Sequence, residues 1–185
     1  MFLIGGVMFA IASTLTVVSM ATGEDRIYLH LGEAFIAAGW IAPLVGLLGL
    51  LPGLVEENRW LTRAGGAFAG VGVVAFVILG LISLYAFFAG ARIEDLPIVF
   101  VLPGIFVGSL LAFVSFSVAT LRTTGHSRTL GGLLLVPSLV FVTNLFVLPA
   151  VLGSGPNPPE VGFALTSLLA VAMLAIGYGR RSEPV

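Results

Sequence analysis

The residues with the most chemical potential gather near the start of the second apolar stretch. Glu24, Asp25, His30 and Glu33 lie close together there, and Glu94 with Asp95 form a second acidic pair. Carboxylates beside an imidazole can hold a divalent cation. His30 and Glu33 are three residues apart and share a face if that segment is helical. The plain alternative is a solvated rim in which Arg26 and Arg92 pair with neighbouring acids. The spacing matches no specific ligand motif, so no metal is assigned.

A second candidate lies inside an apolar stretch. Asn144, with Thr143 beside it, sits between Pro137 and Pro149. In an earlier stretch, Pro43 leaves the Gly39 carbonyl without its helical N–H partner. Backbone groups freed in an apolar setting need a side chain, water or ligand. Asn144, Thr143, Gly39 and Pro43 are therefore read as a candidate polar pocket. The competing reading is one interhelical hydrogen bond from Asn144, worth about 0.6 kcal/mol.

No catalytic residue is expected. The chain has no cysteine, which removes thiolate nucleophiles and thiolate metal sites. Serine and threonine are plentiful, but activation needs an adjacent base, and no His or Lys falls within an apolar stretch. His30 and His126 are expected on opposite sides of a membrane, so bis-histidine haem ligation is disfavoured. No cofactor is expected. No charge sits at the middle of an apolar stretch, Glu33 and His30 being the nearest, and this counts against ion-coupled transport.

The elements that must position these residues follow from the distribution of charge. Of 185 residues, 58% are hydrophobic and 9% charged, against about 25% charged in an ordinary soluble domain. Charges cluster between six apolar stretches, each near the roughly 20 residues that a helical crossing needs. The chain is read as an all-α membrane protein, a single transmembrane domain forming a six-transmembrane-helix bundle. The helices are expected at about 2–21, 32–51, 64–90, 97–121, 130–152 and 162–179. The first is read as a retained helix rather than a signal peptide, because no basic residue precedes Arg26. Pro97 and Pro103 leave two readings of the fourth: one kinked helix from Pro97, or a short interfacial stretch followed by a helix from Leu102. A barrel is excluded because the stretches are continuously apolar rather than alternating.

Orientation follows from the arginines, since there is no lysine. With the N-terminus cytoplasmic, Arg59, Arg63, Arg122, Arg128, Arg180 and Arg181 lie inside, and only Arg26 and Arg92 lie outside. Both termini are therefore expected in the cytoplasm of a multi-pass cell-membrane protein. Packing faces are expected at small residues, where backbones approach closely: Gly104, Gly108, Ala112 and Ser115 on the fourth helix, and Gly66 with Gly70 on the third. Proline pairs in the second and fifth helices invite an inverted three-helix repeat as a further reading.

Two connectors carry a likeness to known proteins. LGLLPGLVEENRWLTRAGGAFAG (48–70) and FSVATLRTTGHSRTLGGLLLV (116–136) each join an apolar helix, a short Arg-bearing linker and a Gly-rich helix start. In this the chain resembles small uncharacterised multi-pass membrane proteins of haloarchaea and other GC-rich microbes. The resemblance implies a hydrophobic bundle and carries no catalytic residue. The functional expectation is a non-enzymatic accessory, structural or partner-binding bundle. The alternative is a small transporter or channel for a neutral or lipid-like solute. The partners expected are the lipid bilayer and other membrane subunits or further copies of the chain. No basic run points to nucleic acid.

Overall fold

A computed structural model describes residues 1–23, 25–90, 100–123, 128–152 and 159–182, with side chains described for all of these except 25–30, 145, 152, 159 and 180–182. Every regular element among them is helical: α1 (Phe2–Thr22), α2 (Asp25–Leu48), α3 (Leu51–Val55), α4 (Arg59–Ala89), α5 (Leu102–Arg122), α6 (Arg128–Val142), a π-helical turn (Thr143–Val147), α7 (Leu148–Leu152) and α8 (Pro159–Ser182). Five spans are long and apolar enough to cross a membrane: Phe2–Thr22, Leu31–Leu48, Arg59–Ala89, Leu102–Arg122 and Glu160–Gly179. α6 alone is shorter, at 15 residues, and its helical backbone runs on through the π turn into α7.

Helices reach further into the charged clusters than the sequence suggests. α2 begins at Asp25 rather than near 32, so Glu33 lies more than two turns inside it. α2 stops at Leu48, and the expected linker contains α3, whose Pro52 occupies the first turn, where the missing N–H costs nothing. α4 begins at Arg59 rather than near 64, and α8 at Pro159 rather than near 162. In the fourth apolar stretch α5 starts at Leu102, the helix start of the second reading, with Pro103 in its opening turn; Pro97 and the stretch before Phe100 lie outside the described residues. α1 and α4 each end on a left-handed glycine, Gly23 at φ 69° and Gly90 at φ 66°. Residues with a Cβ rarely take that conformation.

The long helices pack in a closed ring in the order α1, α2, α4, α5, α6, α8 and back to α1. Neighbours run antiparallel. Along α1 and α2, for example, Phe2 meets Gly46, while Phe9 meets Gly39. Ring closure brings the two ends of the chain together, since a Cβ on Gly177 of α8 would lie 2.6 Å from Leu3 of α1. The start of α1 and the end of α8 therefore lie at the same end of the bundle. The helix ends bearing Arg59, Arg63, Arg122 and Arg128 lie at that end too.

Glycines set the closest approaches. A Cβ on Gly108 of α5 would overlap the Gly72 backbone of α4. Gly104 faces Ala75 and Ser115 faces Gly65 along the same contact, with Ala112 fully buried. The matching face of α4 is Gly65, Ala69, Gly72 and Ala75. Gly66 and Gly70 do not take part in it: Gly66 rests on Leu51 of α3, and a Cβ on Gly70 would meet nothing within 4 Å.

Candidate functional site

The middle of the bundle is filled by one indole. Trp40 of α2 is 4% exposed. Its ring stacks on Phe76 of α4 at 5.6 Å with an interplanar angle of 8°. It meets Phe9 of α1, Phe113 of α5 and Phe141 of α6 edge-on, at 5.6, 6.0 and 5.6 Å. Offset-stacked and edge-to-face pairs are the favoured aromatic geometries, worth about 0.5–1.5 kcal/mol each beyond area burial. Trp40 lies near the middle of the span Leu31–Leu48, so five helices converge on it near mid-height. Nothing in a single helix marks this hub, because each ring comes from a different element.

The buried carboxyl is the second feature. With α2 starting at Asp25, Glu33 falls inside the apolar span Leu31–Leu48. It is the third residue of that 18-residue span, near the start of the second apolar stretch, where the sequence places it. Glu33 is half-buried, and its Oε2 is enclosed without a hydrogen-bond partner among the described residues. Its polar neighbour is Ser83 of α4. The buried Ser83 hydroxyl donates to the Leu79 carbonyl at 3.0 Å. A carboxyl beside a hydroxyl can exchange a proton or contribute to a cation shell, and an ionisable group within an apolar span is a functional candidate by default.

The expected outer cation site is otherwise beyond view. Glu24, Glu94 and Asp95 lie outside the described residues, as do the side chains of Asp25 and His30. Among the described residues no group of three or more His, Cys, Asp or Glu side chains could hold a metal ion.

The structure does not bring the four pocket residues together. Gly39 and Pro43 are occupied by α1: a Cβ on Gly5 would lie 2.5 Å from Pro43 Cγ and 2.9 Å from the Gly39 carbonyl oxygen, and a Cβ on Gly39 would meet the Phe9 ring at 2.9 Å. The carbonyl freed by Pro43 thus faces the bare backbone of Gly5. Asn144 instead lies in the π turn and is exposed, with Thr143 half-buried beside it. That turn contains the bond from the Leu148 N–H to the Thr143 carbonyl, one residue before Pro149. Proline at 149 cannot donate to the carbonyl four residues back, and the wider turn absorbs the mismatch.

Polar contacts that sequence reasoning passed over tie the helix ends together. The Asn58 Nδ2 donates to Thr123 Oγ1 at 3.1 Å and to the Ala119 carbonyl at 3.4 Å. Thr62 donates to the Asn58 carbonyl at 2.8 Å. These bonds clamp the start of α4 to the end of α5. Between α5 and α6, Ser117 donates to the Gly131 carbonyl at 2.6 Å. Asn58 follows Glu56-Glu57 directly before a helix start, and that capping position was the available sequence signal.

Among the described residues, apolar grooves lie on the outer surface. One, about 300 Å³, runs between α1 and α8 past Val7, Ile11 and Leu174. Another, about 540 Å³, lies between α4 and the start of α5 and is lined by Gly70, Val74, Ile78, Phe100 and Gly104. No family model matches the chain, and no curated protein or solved structure is significantly similar to it.

Proposed function

We propose that the chain is an integral membrane protein that crosses the bilayer six times, with α6, the π turn and α7 forming the sixth crossing and both termini in the cytoplasm. Its role is that of a non-enzymatic accessory or partner-binding bundle. The observation that carries this reading is the filled centre: Trp40 and four phenylalanines occupy the place where a solute path would run. Recognition is then left to the outer faces. Six arginines at the end shared by the termini, against two at the other, support a cytoplasmic assignment for that end. The likeness of the two Arg-bearing connectors to small multi-pass membrane proteins is in keeping with this.

The test is reconstitution. Proteoliposomes carrying the protein should show no faster flux of small neutral solutes than protein-free vesicles. Light scattering of the purified protein should report either a defined oligomer or a stable hetero-complex. Flux that depends on the protein would instead favour the second reading, a small transporter for a neutral or lipid-like solute, for which the π turn at Thr143–Val147 is the motivating irregularity. For orientation, a cysteine at Arg122 should react with an impermeant maleimide only from the cytoplasmic side.

A further inference from the structure

Arg63 and the α4–α5 groove lie on one stripe of α4. Arg63, Ala67, Gly70, Val74 and Ile78 follow spacings of three and four, which places them on a single helical face. The exposed members of this stripe are not isolated: Val74 is 60% exposed and Trp60, one turn before Arg63, is 85% exposed. The groove begins about 10 Å below Arg63 and reaches Ile78 about 22 Å below it, at 1.5 Å per residue. Its far wall is Phe100, which precedes α5, and Gly104 of α5.

The headgroup end of this crevice is basic. Asn58 and Thr123 are bonded at 3.1 Å, so Arg59, next to Asn58, and Arg122, next to Thr123, are brought to the same α4–α5 junction. Arg59, Arg63 and Arg122 are all exposed. Glu56 and Glu57, also exposed, precede α4. Arg128 opens α6, which packs on α5, and leaves the junction net positive.

We propose that the α4–α5 crevice binds one anionic phospholipid of the inner leaflet. Its phosphate is held by Arg59, Arg63 and Arg122, and one acyl chain runs down the stripe into the near end of the groove at Gly70 and Val74, about 10 to 16 Å below Arg63. Guanidinium groups match phosphate oxygens in forked geometry, and basic sites between helices on the cytoplasmic side recognise such headgroups. Gly70 supplies the width, since a Cβ there would meet nothing within 4 Å and would project into the open groove. The inference rests on the membrane reading above.

The experiment is native mass spectrometry of the full chain released from nanodiscs holding equal phosphatidylglycerol and phosphatidylcholine. The wild type should retain phosphatidylglycerol with an enrichment of at least about fivefold. The R63Q/R122Q double variant should fall to parity while keeping its helical content. Val74→Trp, at an exposed position, should lower retention of both lipids. Excess glycerophosphoglycerol, which has the headgroup without chains, should not displace the bound lipid. Parity in the wild type, enrichment unchanged in the double variant, full retention by Val74→Trp, or displacement by the headgroup alone would each overturn the site. Failure of the underlying reading looks different: the wild type would be stripped from native membranes by alkaline carbonate.

Discussion

Pro43 and Pro149 set the same problem in two helices, and the bundle answers it in opposite ways. Pro43 is fully buried in α2, and α2 runs past it without a break from Asp25 to Leu48. Gly5 of α1 is flat enough to lie against the freed Gly39 carbonyl. Pro149 is exposed, and there the helix opens into a π turn over Thr143–Val147. A proline facing a tailored neighbour leaves a regular helix, whereas one on an outer face is absorbed by the helix itself. The irregular backbone therefore lies at the periphery, while the centre stays closed around Trp40.

That contrast can be broken from its centre outwards. Trp40→Ala should have the largest effect, lowering stability by about 3–5 kcal/mol as the four phenylalanine rings lose their shared partner. The check is thermal unfolding in mild detergent, and a loss within about 0.5 kcal/mol would remove the hub from the account. Gly5→Leu should come next, costing about 1–3 kcal/mol through overlap with Pro43; the same substitution at Gly70, which faces open space, should cost far less. Pro149→Ala should regularise the π turn and return a backbone hydrogen bond, raising stability by about 0.5–1.5 kcal/mol. Pro43→Ala should show no such gain, because its packing against Gly5 is lost at the same time.

Much of the architecture was legible in the chain. Charge clusters mark the helix ends because charges are excluded from long apolar runs, and the Gly104–Gly108–Ala112–Ser115 stripe identifies the α4-facing side of α5. The partner face was not legible. Gly66 and Gly70 form as good a small-residue pair as Gly65, Ala69 and Gly72, one residue away, and only docking against α5 decides between the two registers. Glu33 falls at the start of the helix expected at 32–51; the helix instead begins at Asp25, in whose first turn a carboxylate is favourable. The prolines of the second and fifth apolar stretches suggested a repeat; in chain order, Pro43 and Pro137 are both buried inside regular helix, and Pro52 and Pro149 are both exposed. The hub was hidden for a simpler reason: Phe9, Trp40, Phe76, Phe113 and Phe141 are each an unremarkable aromatic until five helices meet.

Because the chain has no cysteine, single-cysteine labelling tests the closed centre directly. Ala112 is fully buried on α5, one residue before Phe113 of the hub. Ala112→Cys in reconstituted protein should resist a water-soluble maleimide and react only after denaturation, while Arg122→Cys reacts at once. Rapid labelling of Ala112→Cys in the folded protein would mean that water reaches the middle of the bundle, and it would contradict the filled-centre account.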